Sequence, residues 1–375
     1  MKNILFITHN LKGGGIQKIT LDTARYYSKN GYNVNILTFE KGLDFNIDFT
    51  CQHSTLSLVN FLFKNPHLGF YYIIYKLILR YLFPDSEPLW QAPIYKKMLI
   101  NFLKDKEEFE AIFINGSRSM NRLYSLNLPN MVFSLHLPCR YALKDNIYYN
   151  YIFKKIFSNV KVFTVSNFIL QPILNKAKRL NVDIKAIETI YNPCDKINFN
   201  LKGNESIDIS EPFILAVGRL CSQKRFDLLI DAYKQSNIKT KLVILGEGNQ
   251  RENLEKQISQ LHLSDQILLK GFDCNPYKWM KKCQFFVLSS DIEGFVLVIN
   301  EALACGAPVI ATDCGPVTEI LVGKLKNGIV PKGDVTALSS KIIEYSERPI
   351  YPDNDSVDKL SFASITKSQL MLAKK

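Results

Sequence analysis

Residues 285–306 read FFVLSSDIEGFVLVINEALACG. The opening run, Phe285–Leu288, is apolar and of strand length. Ser289-Ser290-Asp291-Ile292-Glu293-Gly294-Phe295 is a polar turn containing a glycine. Val296–Ala304 then carries apolar residues at helical spacing and stops at Gly306, and a new apolar run, Pro308–Ala311, follows at once. Strand, turn, helix and strand in so short a span form a βαβ unit, and such units build parallel sheets. Two acids ride on this unit. Glu293 lies in the turn and Glu301 about two helical turns inside, so roughly 10 Å of helix axis separates them. Val298, Ile299, Ala302 and Leu303 surround Glu301, an apolar setting in which an unpaired carboxylate is costly.

The same alternation runs outward along the whole chain. Strands are expected at Asn3–Thr8, Asn33–Thr38, Ala111–Asn115, Met131–Leu135 and Val160–Val165, and again at Phe213–Val217, Lys241–Leu245, Ile267–Lys270, Phe285–Leu288 and Pro308–Ala311. Amphipathic stretches separate them. The fold class is therefore α/β, with two tandem Rossmann-like, doubly wound domains and a cleft between them. The expected domains are residues 1–195 and 196–355, joined through a linker in Tyr191–Glu211 that contains Asn192-Pro193 and Gly203-Asn204-Glu205-Ser206. A lone helical tail, about 356–375, is expected to pack back on the first domain. With 375 residues, 47% hydrophobic and 22% charged, the chain is globular and needs no disulfide staples. Its eight cysteines are scattered with no C-x2-C pair, so they read as reduced thiols and not as a zinc site. Met1–Ile7 runs straight into a strand-like stretch without a leader pattern, which points to a cytoplasmic protein.

In open parallel sheets ligands bind beyond the carboxyl ends of the strands, so the strand-to-helix turns hold the candidate chemistry. The first, His9–Gly15, ends in Gly13-Gly14-Gly15 ahead of a helix over Ile16–Lys29. Its glycines let backbone N–H groups approach an anion. The G-x-G-x-x-G spacing of a dinucleotide site is absent. The second, Ala216-Val217-Gly218-Arg219-Leu220, leads to Lys224 and Arg225 and then a helix over Phe226–Gln235. A glycine, fixed cations and a helix start form a diphosphate-binding set, with Arg219 able to fork onto two oxygens and Lys224 acting as a point charge. A solvated basic loop is the alternative. Gly246-Glu247-Gly248 and Gly271-Phe272 mark two further strand ends; at the latter a planar base could lie against exposed backbone. In the Ser289–Phe295 turn, Glu293 and Glu301 stand far enough apart to grip hydroxyls at the two ends of a nucleotide-sugar. Free amides across Phe295, Val296, Leu297 and Val298 would then face its phosphates.

These residues resemble the donor-binding half of the family-four retaining glycosyltransferases, which have the two-domain GT-B fold. The matching stretches are AVGRLCSQKRFDLLIDAY (216–233), LVILGEG (242–248), residues 268–315 with Glu293 and Glu301 as the Glu-x7-Glu pair, and PVTEIL (316–321). More loosely, the Gly-rich first turn with Gln17, His136 after Met131–Leu135, VSNFI (165–169) and IYNPCD (190–195) match the acceptor-binding half. The resemblance implies that Gly218, Arg219 and Lys224 bind the donor diphosphate, that Glu301 holds the ribose and that Glu293 holds the transferred sugar. It further implies that amides near Phe272 meet the base, that Gly14 and Gly15 admit the diphosphate or the acceptor, and that His136 lies by the reacting carbon or its 6-hydroxyl. It implies transfer with retention and no protein nucleophile. It also implies no metal or other cofactor, with UDP the expected nucleotide. Family members carry Gly or Ser where this chain has Val296, which narrows the donor pocket.

The net charge of +12 is uneven: residues 1–200 hold 25 Lys and Arg against 14 Asp and Glu. An acidic partner is expected for that half. Leu68–Phe83, LGFYYIIYKLILRYLF, spans only about 24 Å as a helix, too short for a hydrocarbon core of about 30 Å. With Lys76, Arg80 and the flanking cations of 64–97 it reads as a helix lying in a membrane interface, or else as a core helix. The partners expected are a nucleotide-sugar donor, a bacterial surface glycan or lipid-linked oligosaccharide acceptor of the lipopolysaccharide kind, and the inner face of the cytoplasmic membrane. A nucleotide-sugar epimerase of the same fold is a rival, but it would lack the Glu-x7-Glu helix. A basic nucleic-acid-binding protein is another; no recognised RNA or DNA module interleaves aromatics with cations here, so no nucleic acid is expected.

Overall fold

The computed structural model describes residues 2–12, 14–42 and 47–375, which form two compact units: 2–193 with 362–375, and 194–361. Gly13 of the Gly-rich turn and Met1 lie outside the described residues.

The first unit holds seven parallel strands: β1 (Asn3–Thr8), β2 (Asn33–Thr38), β3 (Gln52–Thr55), β4 (Phe109–Asn115), β5 (Met131–Leu135), β6 (Lys161–Thr164) and β7 (Ala186–Thr189). Their order in the sheet is β3-β2-β1-β4-β5-β6-β7. β1, NILFIT, is buried at every position, as a strand covered on both faces must be. Phe6, Tyr27 and Phe113 interlock on one face, with ring centroids 5.4–6.1 Å apart. The tail helix Phe362–Lys374 belongs to this unit. Tyr27 donates to Thr366 O at 3.1 Å, and Tyr26 stacks on Phe362 at 5.3 Å.

The second unit holds β8 (Phe213–Val217), β9 (Lys241–Leu245), β10 (Ile267–Gly271), β11 (Phe285–Leu288), β12 (Val309–Thr312) and β13 (Ile329–Val330), all parallel, in the order β10-β9-β8-β11-β12-β13. Its core closes over β8 and β11, where Phe285 meets Tyr345 edge-on at 6.0 Å.

Two expectations shift. The stretch expected as linker is partly a helix of the second unit. Lys196–Lys202 is capped by Asp195, whose carboxylate accepts from Asn198 N–H at 3.2 Å, and Phe199 stacks on Tyr277 at 4.3 Å. Residues 356–361 also stay with that unit, because Leu360 O accepts from Cys194 N–H at 2.8 Å.

In each sheet the strand order reverses once, between β1 and β4 and between β8 and β11. Crossover helices leave in opposite directions at such a point, so the turns there bound a crevice. This topology fixes where the chemistry of each unit can lie.

Candidate active site

In the second unit the reversal point brings the turns after β8 and β11 together. Lys224 ends a single 3-10 turn, Ser222–Lys224, and Glu293 sits in the turn after β11. Lys224 Nζ donates to Glu293 Oε1 at 2.5 Å, with the two side chains 18% and 12% exposed. Backbone bonds pin the turn: Asp291 N–H donates to Gln223 O at 3.0 Å, Glu293 N–H to Cys314 O at 2.9 Å, and the Ser289 hydroxyl to Lys224 O at 2.8 Å. Arg225, at φ +49°, points to Asp227 and Asp291, each at 3.2 Å, so it is spent on the scaffold. Arg219 is exposed and, among the described residues, has no ion pair.

The helix Leu297–Ala304 carries Glu301, which is buried; Tyr277 donates to its Oε1 at 3.3 Å. The amides expected to be free are partly committed. Leu297 N–H donates to Phe295 O at 3.0 Å across Val296, whose φ of −89° and ψ of 77° make an inverse γ-turn. Ile299 N–H likewise donates to Val296 O at 3.1 Å. The chain turns into this helix through the γ-turn and not through a side-chain cap. Phe295 and Val296 are buried, while Leu297 and Val298 are half-buried.

The turns after β8, β9 and β10 form one backbone ledge. Gly218 N–H donates to Leu245 O, Leu220 N–H to Glu247 O, and Gly246 N–H to Gly271 O, at 2.7–3.0 Å. A Cβ on Gly246, at φ +143°, would stand 1.9 Å from Gly218 O, so no other residue fits. Lys224 arches over Gly218, its Cε 3.4 Å from where a Cβ would be. Phe272, 78% exposed, rims a hollow of about 570 Å³ also lined by Leu245, Lys270 and Trp279. Gly218, Lys224, Glu293 and Glu301 thus lie on turns and a helix at the carboxyl ends of neighbouring strands.

In the first unit, Gly14, at φ +144°, precedes the helix Gly15–Lys29, and its O accepts from Lys18 N–H at 3.1 Å. His136 follows β5, buried and within 3.0 Å of Ser134 Oγ; burial pushes its pKa down to about 4. Sequence reasoning passed over a second cluster here. Arg122 is buried, donates to His9 Nδ1 at 2.7 Å and lies 4.5 Å from the Tyr95 ring. His9 Nε2 lies 3.2 Å from Glu40 Oε2. It also passed over Tyr277 and Ser134. Ser134 could have been found, because a residue two before His136 on a strand shares its face. Among the described residues no three His, Cys, Asp or Glu side chains gather as a metal site would require.

Residues 58–82 form the helices Leu58–Phe63 and Pro66–Ile74, a π-turn Tyr75–Leu79, and a last turn Arg80–Leu82. Tyr75 is buried, but much of the segment's apolar surface is open: Phe63 is 83% exposed and Leu77 69%, with Phe70, Ile73 and Leu82 open as well. No helix among the described residues is long and apolar enough to cross a membrane.

The fold and the sequence of the second unit define a class. Residues 198–358 match the family model Glycosyl transferases group 1, and the two parallel sheets have the two-domain GT-B fold seen in solved glycosyltransferases. Among individual proteins, the chain is 49% identical over 109 residues to N-acetylgalactosamine-N,N'-diacetylbacillosaminyl-diphospho-undecaprenol 4-alpha-N-acetylgalactosaminyltransferase of Campylobacter jejuni, a match covering 29% of this chain and 30% of that one. It is 28% identical over 149 residues to lipopolysaccharide 1,6-galactosyltransferase of Escherichia coli K12, covering 38% and 41%. These matches span less than half the length of either relative. The Anabaena protein HepE, crystallised with UDP, has a TM-score of 0.64 at 19% identity, over 100% of this chain and 96% of its own.

Proposed function

We propose that the protein is a retaining glycosyltransferase that moves a hexosyl or N-acetylhexosaminyl group from a nucleoside-diphosphate sugar to a hydroxyl of a lipid-linked or lipopolysaccharide-type glycan. The observation that carries the reading is the Lys224–Glu293 pair at the β8/β11 reversal point, with Glu301 eight residues further on and anchored by Tyr277. In this reading Lys224 and Arg219 neutralise the diphosphate beside Gly218. Cations at a leaving group stabilise the charge that develops as the glycosidic bond breaks. Glu301 accepts from the ribose hydroxyls, and Tyr277 restrains its carboxylate. Glu293 accepts from hydroxyls of the transferred sugar. The base lies on the Gly271–Phe272 backbone, and UDP is the nucleotide assigned. Gly14, Gly15 and His136 serve the transferred sugar and the acceptor from the first unit, and no metal is assigned to the reaction.

The relatives named above as acting on a diphospho-undecaprenol carrier and on lipopolysaccharide support an acceptor anchored in a membrane. The exposed apolar face of 58–82, set among Lys64, Lys76 and Arg80, gives the protein a means to rest on an anionic leaflet at the cytoplasmic side. A thermal-shift screen of UDP-, GDP- and ADP-sugars tests the reading, with mass spectrometry of the released nucleotide and proton NMR of the product's anomeric configuration. Stabilisation by one nucleotide class and an unchanged anomer are expected. No response to any of them, or an inverted product, would contradict it.

A further inference from the structure

A line of buried polar groups runs from the first helix to His136. Thr20 Oγ1 donates to Ile16 O at 2.8 Å, and Asn115 Nδ2 donates to Thr20 Oγ1 at 2.8 Å. Ser134 Oγ donates to Asn115 Oδ1 at 2.7 Å and lies 3.0 Å from His136 Nε2. All four side chains are buried. Asn115 and Ser134 face each other in the register of β4 and β5, so the sheet itself holds the middle of the line.

The line has a direction because one end can only accept. Ile16 O is a carbonyl, so Thr20 spends its single proton there and must accept from Asn115. The amide then presents its NH2 to Thr20 and its oxygen to Ser134. Ser134 spends its proton on that oxygen and has only lone pairs left for His136. Nε2 must therefore carry a hydrogen. A neutral imidazole has one N–H, so Nδ1 keeps its lone pair. Burial opposes the charged form, which would protonate both nitrogens. No described residue bonds Nδ1.

We propose that Thr20, Asn115 and Ser134 are positioning residues that hold His136 as its Nε2–H tautomer, making Nδ1 a hydrogen-bond acceptor for a hydroxyl of the transferred sugar. This rests on the place given to His136 above. An acceptor nitrogen pairs with a hydroxyl, meets a sugar carboxylate lone pair to lone pair, and is left unpaired by a deoxy carbon. Hydroxylated hexoses are thus favoured over uronic and deoxy sugars at that contact.

Long-range proton–nitrogen NMR of the intact chain with 15N-histidine reads the tautomer directly. Five histidines are present, and His136→Asn assigns the signal. The expected pattern is a protonated Nε2 and an unprotonated Nδ1 at neutral pH. Ser134→Ala should release a mixture of tautomers and lower kcat about fivefold, the worth of one hydrogen bond, with donor KM unchanged. Ser134→Thr, which keeps the hydroxyl, should restore both. A protonated Nδ1 or an imidazolium in the wild-type spectrum would overturn the proposal. So would wild-type kcat and tautomer in Ser134→Ala. The spectrum decides the tautomer without turnover, whereas wild-type turnover by His136→Asn would remove the histidine from the reaction.

Discussion

Replacing Lys224 by Met is expected to damage the second unit and the donor site together, and a double-mutant cycle with Glu293→Gln separates the two. The pair is close, at 2.5 Å, and mostly shielded from water. At an effective dielectric of about 20, unit charges at that distance attract by roughly 6–7 kcal/mol. Desolvation of both groups takes back most of this, leaving the roughly 1.5–3 kcal/mol typical of a charge-assisted hydrogen bond. Lys224→Met strands a shielded carboxylate and should lower unfolding free energy by about 2–3 kcal/mol. Glu293→Gln keeps an oxygen for Lys224 to donate to and should cost only about 1 kcal/mol. The double variant should be less damaged than the sum, with a coupling of about 1.5 kcal/mol or more in urea denaturation. Ligand binding then distinguishes the roles. Glu293→Gln should bind free nucleoside diphosphate as well as the wild type but lose turnover by orders of magnitude, whereas Lys224→Met should lose the diphosphate itself. Strict additivity of the two stabilities, or diphosphate binding undiminished in Lys224→Met, would refute the reasoning.

Three further outcomes can be checked directly. Gly246→Ala puts a Cβ against Gly218 O at a positive φ and should destabilise the second unit by about 3 kcal/mol or more, seen as a clear drop in Tm. His136 has a folded pKa of about 4, below its unfolded value near 6.5, so the folded chain binds fewer protons. This group's share of stability should hold above about pH 6.5 and fall as pH drops through that value, by about 2 kcal/mol at pH 5. His136→Asn should remove that share from the slope in denaturant melts, leaving the part due to His9, whose pKa burial also lowers to about 4. Phe70→Glu with Leu77→Glu, both on exposed positions, should leave Tm unchanged and abolish co-flotation with anionic liposomes at low salt.

Much of this molecule is legible along the chain because parallel strands buried on both faces leave continuous apolar runs. β1, β2, β5, β8, β9 and β11 each begin and end where they are expected from the sequence, with apolar residues filling most of their positions. The strands that escape the pattern are short edges. β3 is the exposed or half-buried QHST, and β7 is the half-buried AIET, with little apolar surface to betray them. The candidate residues could be named one by one, since glycines, cations and acids at strand ends have distinct uses. Their pairing could not. Lys224 and Glu293 meet only because β11 lies beside β8, and sheet order is not written in sequence order. The line to His136 depends likewise on the register of β4 against β5. The amides before the helix at Leu297 look free in sequence, but a γ-turn at Val296 commits one of them. Nor does the run 66–83 betray a π-turn or which of its aromatics stay open to solvent.

The central claim is that the β8/β11 crevice of the second unit holds a nucleoside diphosphate sugar by its two ends. Calorimetric titration of UDP and a UDP-sugar onto the intact chain, the Glu301→Gln chain and the Lys224→Met chain tests it most directly. The account predicts one site per chain, weakened about tenfold by Glu301→Gln and lost in Lys224→Met. Equal affinity in all three chains, or no heat from UDP, GDP or ADP derivatives at any concentration, would contradict it.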